Sequence, residues 1–211
     1  MPAAVLLLLG LLLMFIIAGV VWRISSRRSS LPCPSWLSWL VEMENPLQRN
    51  YNASSIIQQL EIQPGMKVLD AGCGPGRVSI PLAIAVGSHG AVVAMDMQRR
   101  MLDRAREKAK AVGLTNIDFR ETAIEASGLG TGEIDRAVLA TVLGEIPDRQ
   151  AALREIHRAL KPGGILAISE IVLDPHYQSR STILKLASQT GFHEKEFKGN
   201  RFSFTLLLEK G

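Results

Sequence analysis

From about residue 53 onward, the hydrophobic pattern of the chain alternates between two periods. Apolar positions at helical spacing predict helices over 53–61, 77–86, 98–112, 148–160 and 181–190, with a short one near 122–127. The stretches between them predict strands over 66–71, 91–96, 117–120, 134–140 and 165–172, then two more near 192–197 and 202–208. Breakers fall where the period changes: Pro64-Gly65, Gly113, Lys161-Pro162-Gly163-Gly164, Gly191 and Lys198-Gly199-Asn200. In 148–160 the residues Ala152, Leu153, Ile156, Ala159 and Leu160 form one stripe, and Lys161 to Gly164 reads as a hard stop. Strand and helix thus alternate five times before a closing pair of strands. That order predicts an α/β fold: parallel βα units with helices on both faces, right-handed crossovers and an antiparallel hairpin at one edge.

The first 22 residues follow neither period. Ala3 to Trp22 is an uncharged run of 20 residues, mostly apolar. As a helix it would be roughly 30 Å long, about the hydrocarbon thickness of a bilayer. The run is expected to be a retained transmembrane helix. The competing reading, a cleaved signal peptide, wants a shorter run with cations ahead of it. Here the cations Arg23, Arg27 and Arg28 follow. By the positive-inside rule they place the rest of the chain on the cytoplasmic side. The expected organisation is an anchor over 1–22, a juxtamembrane linker and lid over 23–50, and the α/β domain over 51–211.

Composition and charge divide at the same place. The whole chain is 47% hydrophobic with a net charge of +4, but residues before Glu42 hold three arginines and no acid. The remainder is close to neutral, so the excess charge is no sign of a nucleic-acid partner. Trp22, Trp36 and Trp39 are the only tryptophans, and with Leu37, Leu40 and Val41 they suggest an interfacial helix over 35–41. Packing of that segment on the domain's own core is the alternative. The two cysteines, Cys33 and Cys73, show no disulfide or metal-ligand spacing; Cys33 lies where acylation could occur. Asn52-Ala53-Ser54 is a glycosylation sequon, but the expected orientation argues against its use, and Asn52 reads instead as a helix cap.

The candidate chemistry starts at the end of the first strand, with Asp70-Ala71-Gly72-Cys73-Gly74-Pro75-Gly76. Alternate glycines let a backbone approach a ligand closely. The second strand ends about twenty residues later in Asp96, where a carboxylate can accept both hydroxyls of a ribose. A glycine loop with a distant acid points to a nucleoside-containing ligand. The spacing is not the G-x-G-x-x-G of dinucleotide sites.

Val68 to Gly76 resembles motif I of the class I S-adenosyl-L-methionine-dependent methyltransferases. Leu160-Lys161-Pro162-Gly163-Gly164 resembles a second marker of that family, and the likeness extends over 64–211. Within the family the chain is most similar to the small methyltransferases of ubiquinone and menaquinone biosynthesis. The resemblance implies a seven-stranded Rossmann-like sheet whose last strand is inserted antiparallel. It implies that Gly72, Gly74 and Gly76 line the methionine and ribose portions of the cofactor and that Asp70 organises the loop. It implies that Asp96 binds the ribose, that Met97 packs on adenine, and that Ala140 and Thr141 lie near the methionine tail or the transferring methyl. Two departures stand out. Glu121-Thr122-Ala123-Ile124-Glu125 puts Thr122 or Ala123 where relatives often carry an adenine-binding acid, leaving a backbone amide near Ala123 for that contact. Gly144-Glu145-Ile146-Pro147 replaces a frequent His-Glu-Ile-Pro.

Methyl transfer from a sulfonium is a displacement that needs alignment and exclusion of water. A base is required only when the nucleophile arrives protonated. Glu145, Asp148, Glu170, His176 and Tyr177 should lie near the ends of the fourth and fifth strands. His176 is the first choice as base, with Tyr177 and Glu145 beside it. Only Asp174 to Arg180 separate the fifth strand from the next helix, so the lid must come from residues 42–56, with Tyr51 a candidate cover. The expectation is a membrane-anchored methyltransferase with a lipophilic small-molecule acceptor: a quinone precursor, another prenylated aromatic or a lipid headgroup. The alternatives are a scaffold that has kept the fold and lost activity, a nucleic-acid or protein methyltransferase, and a nicotinamide oxidoreductase.

Overall fold

The computed structural model describes residues 52–211 and helical positions at 5–7, 9–10, 13–14, 17 and 20–21. At these N-terminal positions Leu6, Leu7, Leu9, Leu13, Met14, Ile17, Val20 and Val21 are all at least half exposed. Among the described residues, no helix is long and apolar enough to cross a membrane. The expected anchor falls largely outside the described residues, and the interfacial helix over 35–41 and Tyr51 fall wholly outside them.

The domain is an α/β layer structure. Its strands are β1 (Lys67–Ala71), β2 (Ala91–Asp96), β3 (Ile117–Glu121), β4 (Ile134–Ala140), β5 (Leu160–Ile171), β6 (Phe192–Gly199) and β7 (Ser203–Lys210). Its helices are α1 (Ala53–Gln59), α2 (Ser79–Val86), α3 (Arg99–Ala111), α4 (Arg149–Ala159) and α5 (Arg180–Ser188). The sheet order is β3-β2-β1-β4-β5-β7-β6. The pairs among β1 to β5 are parallel, and β7 runs antiparallel between β5 and β6. The central strand is β4, and the chain reverses its direction of travel across the sheet between β1 and β4.

Burial follows from that order. Val68 to Ala71 of β1 are buried on both faces, as a covered parallel strand must be. One face of the sheet packs Leu69, Val93, Leu139 and Phe204 with Leu153 and Ile156 of α4 and Ile183 of α5. The other packs Val68, Val92, Val138 and Leu207 with Ile56 of α1, Leu82 of α2 and Leu102 of α3. At the β6 edge, His193, Glu194, Lys195 and Glu196 are exposed, which discourages pairing with another chain.

Three local expectations need correction. Lys161-Pro162-Gly163-Gly164 does not simply separate helix from strand. Leu160 already pairs with Ile134 and Ile165 with Arg136, so these residues bulge out of β5 within its register. The helix expected near 122–127 is one 3-10 turn, Ile124–Ala126, too short to bury an apolar stripe. Asn52 takes the cap position of α1 with extended backbone, but its side chain makes no cap hydrogen bond; its carbonyl oxygen accepts from the Ile56 N–H instead.

Candidate active site

The parallel strands deliver their carboxyl ends to one edge of the domain, where open α/β sheets place ligands. At the end of β1, Asp70 is 1% exposed. Its Oδ2 accepts from the Ser79 hydroxyl at the start of α2, at 2.5 Å. Burial raises its pKa from the ordinary 3.8 to about 6, against the opposing pull of Ser79 and Arg77. The loop beyond it is clamped to β2: the Gly72 and Cys73 N–H groups both donate to the Met95 carbonyl oxygen, at 2.7 and 2.8 Å.

The three loop glycines do different work. A Cβ on Gly72 (φ +75°) would meet Val142 Cγ1 at 2.5 Å, so this glycine lets the β4 loop close behind the β1 loop. A Cβ on Gly76 (φ +83°) would stand 3.0 Å from Ala105 Cβ, so this one lets α3 approach. Only Gly74 (φ +52°) has open space where a Cβ would go. That space is a cradle for a ligand lying against bare backbone. The Gly74 N–H donates to Asp96 Oδ2 at 2.9 Å, and the Gln98 N–H donates to Asp96 Oδ1 at 2.8 Å. Asp96 is thereby oriented at the end of β2 with lone pairs left on both oxygens. Burial raises its pKa above the ordinary value, although these amide bonds oppose the rise. Met97 beside it is 69% exposed, an apolar surface at the mouth.

Beyond β3 the chain turns through Thr122 and Ala123. The Thr122 hydroxyl is turned inward to the Ala123 and Ala126 carbonyl oxygens. Ala123 caps the 3-10 turn with extended backbone and is half-buried.

At the end of β4, Ala140 and Thr141 are half-buried. Thr141 has φ +58°, a left-handed conformation unfavourable for a β-branched residue. It is held by its N–H donating to the Ser169 carbonyl oxygen at 2.9 Å and its hydroxyl donating to Ala140 at 2.7 Å. Backbone strain of this kind collects at functional sites.

The structure brings Glu145 and His176 together: Nδ1 of the buried imidazole is 3.6 Å from Glu145 Oε1 and 4.0 Å from Asp174 Oδ1. Asp174 Oδ1 also accepts the His176 N–H at 2.6 Å. Gly144 is explained by the same packing, since any Cβ there would overlap the His176 backbone. A histidine at 144 is therefore excluded, and the imidazole at this strand end comes from the β5 loop. Tyr177 lies apart from the pair. Its hydroxyl donates to the Arg201 carbonyl oxygen at 2.9 Å, and its ring meets Phe204 edge-on. Asp148 serves as the α4 cap, accepting from the Ala151 N–H at 2.8 Å.

Three contributors carried no sequence signal: Ser79, Val142 and Arg149, whose guanidinium donates to the Leu143 and Gly144 carbonyl oxygens at 3.1 and 2.9 Å. Arg149, Tyr177, Gln178, Ser179 and Thr182 line a depression of about 430 Å³, open to solvent, beside this strand end.

Residues 62–202 match the methyltransferase domain family. The chain is 34% identical over 149 residues to an arsenite methyltransferase of Aquipseudomonas alcaligenes, covering 67% of this chain and 43% of the relative. It is 33% identical over 115 residues to a demethylmenaquinone methyltransferase of Geobacillus stearothermophilus, covering 54% of this chain and 49% of the relative. The chain thus spans less than half the length of these curated relatives. A solved structure of a SAM-dependent methyltransferase from Aquifex aeolicus superposes with TM-score 0.77 at 21% identity, covering 85% of this chain and all of that one. With the glycine cradle, the oriented Asp96 and the seven-stranded order in place, the chain belongs to the methyltransferase domain family and has the fold of the S-adenosylmethionine-dependent methyltransferases.

Proposed function

We propose that this protein moves a methyl group from S-adenosylmethionine to a small lipophilic acceptor at a membrane surface. The observation that carries the reading is the pairing of an open Gly74 cradle and oriented Asp96 with a histidine–carboxylate group at the next strand ends. The cofactor, when bound, supplies an electrophilic methyl carbon. Asp96 would hold the ribose hydroxyls, Gly74 would admit the ligand to the backbone, and Asp70 with Ser79 would fix the loop. His176 would take the proton of a hydroxyl or activated carbon acid, and Glu145 and Asp174 would stabilise the resulting imidazolium.

The lipophilic acceptor is supported by the uncharged run Ala3 to Trp22 and its arginine flank, which would hold the domain on the cytoplasmic face of a membrane. Similarity to a demethylmenaquinone methyltransferase points the same way. An arsenite acceptor is favoured less. Soft thiolates are the ligands such a centre prefers. The chain carries two cysteines, and burial pushes the Cys73 thiol far above its ordinary range. The test has two parts. Titration calorimetry should show S-adenosylmethionine binding. Labelled cofactor with a membrane lipid extract should yield a methylated apolar product, at lower turnover when residues 1–41 are deleted and with cofactor affinity unchanged. Equal turnover of both proteins on liposomal acceptor would refute the membrane part of the reading.

A further inference from the structure

The β6–β7 turn lies at the end of the domain where β5 delivers its carboxyl end, because Ser203 at the start of β7 pairs with Ile171. One residue further, the Val172 N–H donates to the Phe202 carbonyl oxygen at 2.7 Å. That bond brings Leu173, 72% exposed, beside the turn that carries Phe202, 53% exposed. The backbone around the ring is pinned. Asn200 Oδ1 accepts from the Phe202 and Ser203 N–H groups at 2.8 and 3.2 Å, and the Arg201 carbonyl oxygen accepts from the Tyr177 hydroxyl at 2.9 Å. The turn thus holds an apolar ring out in solvent. Its charge is one-sided: Phe197 to Leu208 contains Lys198 and Arg201 and no acid. Lys198 is paired with Glu196. Arg201 is exposed, lies over the Phe202 ring at 4.8 Å from its centroid, and has no ion pair among the described residues. Asp174, after Leu173, is largely covered and accepts the His176 N–H at 2.6 Å.

We propose that Leu173, Arg201 and Phe202 form a docking tip for an anionic bilayer. The two apolar side chains enter the boundary between headgroups and acyl chains, and the guanidinium meets lipid phosphate. The proposal rests on the membrane part of the function proposed above, and it names the surface by which the domain meets that membrane. The charge selects this occupant. In an apolar protein interface an uncompensated guanidinium between Leu173 and Phe202 would be buried without a partner, at high cost. At a bilayer surface the same cation stays at headgroup level while its apolar neighbours are covered. A tip of two side chains binds weakly alone. The uncharged run Ala3 to Trp22 makes its contact intramolecular, which a weak contact needs. Tyr177 connects the tip to the depression beside the β4 and β5 ends, since it bonds the Arg201 carbonyl and lines that depression. Docking therefore turns the strand ends toward the bilayer and shortens the path of an apolar acceptor through water.

The test uses the full chain with vesicles of phosphatidylcholine and phosphatidylglycerol, and with vesicles of phosphatidylcholine alone. An environment-sensitive fluorophore is attached at Leu173→Cys or, as a control, at Val112→Cys. Val112 is also exposed but follows α3, at the opposite end of the domain. Both chains carry Cys33→Ser, and Cys73 is buried away from the label. Flotation first shows whether the chain joins the vesicles. On anionic vesicles the label at 173 should shift to the blue and be quenched by nitroxide-bearing lipid, and the label at 112 should do neither. Arg201→Ala should lower the ratio of docked to undocked tip about fivefold, the weight of one cation at an anionic surface. Arg201→Glu combined with Phe202→Ser should abolish the shift at 173 and leave flotation, S-adenosylmethionine affinity and melting temperature as in the wild type. Equal signals at 173 and 112, a shift at 173 that survives the double substitution, or the same shift on phosphatidylcholine alone would overturn the tip and leave the anchoring of the proposed function standing. A chain that floats with neither vesicle would refute that membrane part, and the tip with it.

Discussion

Asp70 ties the stability of this domain to its ligand site, and Asp70→Asn separates the two. The carboxyl is 1% exposed, and its pKa stands at about 6 rather than 3.8. Between those values the folded protein holds a proton that the unfolded chain has released. Folding therefore loses free energy as pH rises through the window, and above it the full penalty applies. The size follows from the displacement: about 3 kcal/mol, at 1.36 kcal/mol for each tenfold change in proton affinity. The carboxamide that Asp70→Asn introduces does not titrate and can still accept from the Ser79 hydroxyl, although its amide hydrogens add a constant cost. The stability of D70N minus that of wild type should rise by about 3 kcal/mol between pH 3.5 and pH 8, whatever that constant offset. Denaturant melts of both proteins across this range in one buffer series measure it. Cofactor affinity at pH 8 should fall in D70N, because the charge that organises the loop is gone. A stability difference that stays flat with pH would refute the reasoning, since it would mean that Asp70 is solvated or ionised at ordinary pH.

The other expectations concern the glycines and the ribose acid. Gly72→Ala should lose about 1–3 kcal/mol in a thermal melt, because its Cβ has Val142 at 2.5 Å and its φ is positive. Gly74→Ala, with open space around it, should keep a melt within about 1–2 kcal/mol of wild type but bind S-adenosylmethionine at least tenfold more weakly by calorimetry. Gly144→Ala should destabilise by about 2 kcal/mol or more and lower kcat, because it displaces His176. Asp96→Ala should cost cofactor binding about 2 kcal/mol by removing charged hydrogen bonds, with the loss read as a Kd change.

How much of the site was legible varies residue by residue. Asp70 and Asp96 could be read directly, because a strand followed by a glycine loop fixes the first and the end of the next strand fixes the second. Glu145 and His176 could be named as candidates but not paired. They are 31 positions apart in sequence, and only the parallel β4–β5 register brings their loops together. Gly144 looked like the loss of a histidine. It is the space into which the His176 backbone fits, a relation that no local pattern encodes. The bulge at Lys161 to Gly164 was misread for a related reason, since a turn signal does not say whether pairing resumes on its far side.

The sequence by itself determined the alternation of strand and helix, the parallel sheet that such alternation requires, and the glycine loop with its distant acid. Each of these follows from local periodicity or from one residue's conformational freedom, which short stretches carry in full. The tertiary structure alone decided that the three glycines serve three purposes, that Asp70 rests on Ser79, and that Glu170 is buried with an idle oxygen. Those facts depend on which distant side chains fill a given space and on how much water they exclude. Close packing around the sheet sets both quantities, and the pKa values and candidate chemistry of this domain follow from them.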